Sequence, residues 1–131
     1  MVITLALLAA NAINLVRQDA AQSNVYLSEV RAMADAAASL PDTNGDGEII
    51  LMTQDPYILR YVGLRSVMFP YEDRDTIFEV ARRYHVDYLL MPPNRPSLNA
   101  LAAGAETDPR FVHTRNVPGT NFVFFAVRGD A

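Results

Sequence analysis

The chain has no cysteine among its 131 residues and only two histidines. Without cysteine there is no disulfide scaffold, no thiol nucleophile and no thiolate zinc site. His85 and His113 have no third ligand at metal spacing, so they make no zinc site either. Basic residues are in the minority. The net charge is −4, which argues against a nucleic-acid surface, where Lys and Arg must be concentrated. There is no G-x-S-x-G elbow, no G-x-G-x-x-G fingerprint, no internal repeat and no low-complexity linker. The sequence therefore points to no catalytic residue, no metal and no cofactor.

What is present is a folding chain. Half of its residues are apolar and a fifth are charged, a balance that excludes a disordered polymer and suits one domain with a real core. The first sixteen residues, MVITLALLAANAINLV, carry no charge and are polar only at Thr4, Asn11 and Asn14. As a helix this stretch would be ~24 Å long at ~1.5 Å per residue, short of the about 20 apolar residues that a bilayer core requires. Three readings compete for it: a core element, the end of a transmembrane helix, or a signal peptide that lacks its basic start. We divide the chain accordingly into an apolar helical segment, 1–16, as a transmembrane-helix remnant, and a single α/β domain, 17–131.

Residues 20–40 read as helix, with Tyr26, Val30, Met33, Ala37 and Leu40 on one stripe and Pro41 as the stop. Strands are expected at 48–53, 65–69 and 86–91. Helices are expected at 56–62, 74–84 and 97–104, with Asp55 and Asp73 or Asp75 as caps. Residues 111–116 and 121–128 read as a closing pair of strands. This alternation predicts an α/β fold, a three-layer Rossmann-like sandwich with a mostly parallel sheet of about five strands and an antiparallel closing strand.

The segment DTNGDGEI, 42–49, places Asp42, Asn44, Asp46 and Gly47 at the first, third, fifth and sixth positions of a calcium loop. The twelfth position, which needs a bidentate acid, is Thr53, and the ninth is Ile50, both inside an expected strand. The segment is thus expected to be a polar turn with no calcium site. In parallel α/β sheets ligands gather beyond the carboxyl ends of strands. Loops 53–56, 70–73 and 92–95 meet that condition and offer Gln54, Asp55, Tyr71, Glu72, Asp73, Asn94 and Arg95 as candidate ligand-binding residues. The competing assignment makes Asp55 and Asp73 helix caps and leaves the others facing solvent.

Residues 48–91, EIILMTQDPYILRYVGLRSVMFPYEDRDTIFEVARRYHVDYLLM, resemble the soluble C-terminal domain of bacterial membrane glycosyltransferase-like proteins of the protein mannosyltransferase and ArnT type. The matching residues are Thr53 closing a strand, and Tyr57 and Tyr61 in a short helix. Gly63, Arg65, Val67, Met68 and Pro70 follow, then Ala81, Tyr84, Val86, Tyr88 and Leu89. Leu64 stands between Gly63 and Arg65, and His85 replaces a usual glycine. The resemblance implies a non-catalytic accessory domain on the extracytoplasmic side of the cell membrane. Its partner would be the membrane-embedded portion of a larger protein, where the family's catalytic acids lie. Two other readings stay open. One is a small soluble ligand-binding protein or enzyme using the carboxyl-edge loops. The other is an interaction module, a homodimer through the N-terminal helix.

Overall fold

The computed structural model describes residues 2–60, 62–91 and 94–129. Tyr61, Pro92 and Pro93 of the expected elements lie outside the described residues. The elements are α1 (Val2–Ala38), β1 (Ile50–Thr53), α2 (Pro56–Arg60), β2 (Arg65–Met68), α3 (Arg74–Arg83), β3 (Tyr88–Met91), α4 (Asn99–Ala102), β4 (Phe111–Asn116) and β5 (Val123–Val127).

The strands form one sheet in the order β2-β1-β3-β5-β4. β1 is parallel to β2 and to β3, while β5 is antiparallel to β3 and to β4. This corrects the expected mostly parallel sheet with one antiparallel closing strand. The sheet is mixed, with two parallel and two antiparallel pairings. The cause is the last hairpin. Its second strand is buried along Phe124–Val127 and needs a neighbour on either side, so it inserts beside β3. Its first strand is exposed from Val112 to Asn116 and takes the edge. A register shift between His113 and Arg115 interrupts pairing on that edge strand, as edge strands often do to discourage further pairing.

Alternation along each strand separates two apolar layers. Leu51, Tyr88, Leu90, Phe124 and Ala126 face one side, where Met33, Ala36 and Ala37 at the end of α1, Leu40 just beyond it and Leu59 of α2 cover them. Met52, Leu89, Met91, Phe125 and Val127 face the other, under Ile77 and Ala81 of α3 and Leu101 of α4.

Helix ends follow local chemistry. Asp73 caps α3, accepting from the Thr76 N–H at 2.9 Å. Its C-terminus closes with the Val86 N–H on the Ala81 carbonyl and the His85 N–H on that of Arg82, the Schellman arrangement. That arrangement needs a positive φ at His85, 56°, where a side chain is strained and glycine is not. α2 ends in the same way at Gly63.

α1 holds no glycine or proline and runs unbroken through 37 residues. Only its last turns touch the sheet. Every residue from 6 to 28 is exposed, including Leu7, Leu8, Ile13, Leu15, Val16, Val25 and Leu27. Among the described residues no helix is long and apolar enough to cross a membrane.

Candidate functional site

The candidate loops leave the ends of β1, β2 and β3, and the fold sorts their residues into different tasks. Gln54 and Asp55 are exposed beyond β1. Asp55 lies close enough to α1 for its charge, after partial burial, to push the Tyr26 phenol pKa up. Asp73 is the α3 cap, and the Thr76 N–H holds its carboxyl below the usual aspartate range. Asn94 is exposed. Tyr71, Glu72 and Arg95 do come together, with Pro96 and Ser97, around a cavity of about 130 Å³.

Arg95 is 5% exposed. Its Nη2 donates to the carbonyls of Phe69 at 3.2 Å and Pro70 at 2.6 Å, so the loop after β3 fastens the loop after β2 across the end of β1. Its guanidinium carbon sits 5.3 Å from the centre of the Phe69 ring and 4.8 Å from that of Tyr71. The Arg95 N–H also donates to Asn99 Oδ1 at 2.8 Å, which fixes the start of α4 against the cavity. Cation–π contact and carbonyl dipoles stabilise a buried guanidinium, but neither supplies a counter-charge.

The segment 42–47 is a turn whose carboxylates are occupied by backbone. Asp42 accepts from the N–H groups of Asn44, Gly45 and Gly47 at 3.1, 2.9 and 2.7 Å. The Gly47 bond is foremost in holding its carboxyl pKa below the usual range. The loop is strapped to the sheet by Asp87, which is fully buried. That carboxylate accepts from Thr43 N, Thr43 Oγ1, Asn44 N and Ile50 N, and Asn44 Nδ2 donates to the His85 carbonyl. Among the described residues no three His, Cys, Asp or Glu side chains gather to hold a metal.

Sequence reasoning missed Asp87, because its partners lie more than 35 positions away and no local pattern announces them. It also missed Arg110, which forks onto Asp108 at 2.9 and 2.8 Å and reaches Asp75 at 2.7 Å, over the rings of Phe78 and Phe111. Arg110 holds the Asp108 carboxyl below its usual range. This cluster ties α3 to the approach of β4. Beside it a second cleft, about 450 Å³, runs between α4 and β4 with Leu101, Phe111 and Phe125 in its wall. The larger cleft also has Glu106, Thr107, Asp108 and His113 in its lining, but His113 Nε2 pairs with Asn116 Oδ1 at 3.0 Å, and among the described residues no hydroxyl lining either place is hydrogen-bonded to a histidine or carboxylate. Compared with protein-family models, curated proteins and solved structures, the chain matches none.

Proposed function

We propose that this chain is a non-catalytic accessory domain that works beside a membrane-embedded portion of a larger protein, with the outer half of α1 as the attachment. The protein is a small α/β domain carrying a long helix. The observation that supports the attachment is how apolar side chains are distributed on that helix. At ~100° per residue, Leu7, Leu8, Ile13, Leu15 and Val16 span roughly 240° of its circumference, and all five are exposed. A single partner helix covers one stripe of roughly 100°. Apolar groups over so wide an arc call for an apolar medium on more than one side. Asn11 and Asn14, three residues apart on one face, would then meet protein rather than lipid.

The polar stretch that follows, Arg17 to Asn24, marks where the helix leaves that medium. The domain below carries its own closed core and does not draw on residues 6–28. The extracytoplasmic location and the relation to lipid-linked-sugar glycosyltransferases rest on the resemblance of residues 48–91, and they belong to this reading.

The test compares the full chain with a form lacking residues 2–16. In flotation with phosphatidylcholine vesicles, the full chain rises with lipid. The shortened form stays at the bottom, elutes as a monomer and melts at an unchanged temperature. A full chain that ignores vesicles and elutes as a dimer would replace membrane attachment by self-association. Unfolding of the shortened form would make the segment part of the core.

A further inference from the structure

We infer that the cavity beside Arg95 is a subsite for a small carboxylate, bound by that guanidinium at the carboxyl edge of the sheet. The argument begins with charge. Arg95 is buried, yet among the described residues no carboxylate is in ion-pair contact with it; the ion pairs present involve Arg65, Arg74 and Arg110. A guanidinium taken out of water without a counter-ion is costly, and buried cations are paired as a rule. The two carbonyls at Nη2 satisfy part of its hydrogen bonding. Among the described residues the N–H groups of Nε and Nη1 have no protein acceptor, and no buried side-chain nitrogen there is left without a partner, so these groups keep contact with solvent. Arg95 lines the cavity together with Tyr71, Glu72, Pro96 and Ser97.

Geometry and charge narrow the ligand. A volume of about 130 Å³ suits a ligand group of a few heavy atoms. Glu72 in the wall offsets part of the arginine's charge, which disfavours a dianion such as phosphate and leaves room for a monoanion. Tyr71 is 82% exposed and lies over the guanidinium, so its outer face offers a flat apolar surface to whatever carries the carboxylate. The site also lies where open α/β sheets collect ligands, beyond the carboxyl ends of parallel strands. Only one edge of one arginine is available, so affinity is modest, with Kd on the order of 1–10 mM.

The experiment is a titration of the ¹⁵N-labelled full chain in detergent micelles, following backbone and arginine Nε–H signals. Acetate and inorganic phosphate are the probes, with chloride at matched ionic strength as the control. Saturable shifts at Arg95, Tyr71 and Ser97 with acetate, and weaker ones with phosphate, are expected. Glu72→Gln, which removes the opposing charge from an exposed position, tightens acetate by about three- to tenfold. Arg95→Met abolishes the shifts. If that variant does not fold, because the carbonyls of Phe69 and Pro70 lose their donor, Glu72→Gln decides alone. Shifts that chloride reproduces, saturation absent by about 100 mM, or an acetate affinity indifferent to Glu72→Gln would each overturn the subsite.

Discussion

The two halves of α1 share one unbroken helix and differ in almost every other respect. From Val30 to Ala37 the buried residues Val30, Met33, Ala36 and Ala37 fall at spacings of three, three and one, a single stripe laid on the sheet and continued by Leu40 just past the helix end. From residue 6 to 28 every residue is exposed, Tyr26 at 46% the most covered of the large apolar ones, and in its apolar part the large side chains spread over roughly 240°. Helix propensity cannot separate the halves, since alanine is frequent in both. The distribution of apolar groups around the axis does. One stripe builds a domain, whereas so wide an arc needs surroundings that the domain does not supply.

The sharpest way to break this contrast is to place the same charge on each half. Ala37 is 1% exposed, and Ala37→Asp buries an unpaired carboxylate against the sheet, so a loss of about 3–5 kcal/mol is expected. Leu15→Asp, on the outer half, leaves the thermal midpoint within about 0.5 kcal/mol of its starting stability while abolishing flotation with vesicles. Equal damage from the two substitutions, measured by circular dichroism melts, would mean that the outer half is also structural.

Next in size is Asp87. Its removal by Asp87→Ala leaves the donors of Thr43 and Ile50 without their acceptor, while the Asn44 N–H keeps Asp42, and about 2–4 kcal/mol is expected in urea unfolding. The same loss should appear with or without residues 2–16, because the strap lies wholly within the domain.

Acid gives a smaller and graded effect. The carboxyls of Asp42, Asp73 and Asp108 are all held below the usual value of 3.8. A depressed folded-state pKa means that the unfolded chain binds the proton first. The stabilisation is therefore complete above the unfolded value and drains away as pH falls through 3.8 toward the lower folded values. Urea midpoints taken from pH 5 downward should decline in parallel for the full and shortened chains. A difference between them would place a titrating contact on the outer half of α1.

The smallest effect concerns the end of α3. His85→Gly relieves a side chain at positive φ and gains about 0.5 kcal/mol, the net of strain relief and added unfolded-state entropy. A loss instead would show that the imidazole makes a contact worth more than the strain.

Much of the fold was legible because it is written locally. The Pro41 stop, the Asp73 cap, the Gly63 turn and the short runs at 48–53 and 65–69 each act over a few residues. Strand order is not local. The contrast between the buried FFAV of β5 and the polar HTRN of β4 carried the information that β5 is internal, yet it was read as a simple closing pair. The candidate loops were legible as positions beyond the strands, but not as a meeting of Tyr71, Glu72 and Arg95 apart from Asp55 and Asp73. That sorting depends on the guanidinium reaching the carbonyls of Phe69 and Pro70, a contact between segments 25 residues apart. His85 was legible as the residue after a helix, but not as one held at positive φ, a position in a Schellman turn that favours glycine.

The absence of glycine and proline from α1 has a mechanical corollary. Without a swivel, the azimuth of the domain about the helix axis is locked to the azimuth of Asn11 and Asn14. Inserting one alanine after Ala21 would rotate one end against the other by ~100° and lengthen the shaft by ~1.5 Å, whereas inserting seven residues would restore the phase to within ~20° and lengthen it by ~10 Å. Torsional phase and reach can thus be varied separately, and a partner that reads the orientation of the domain would tolerate the longer insertion better than the shorter one.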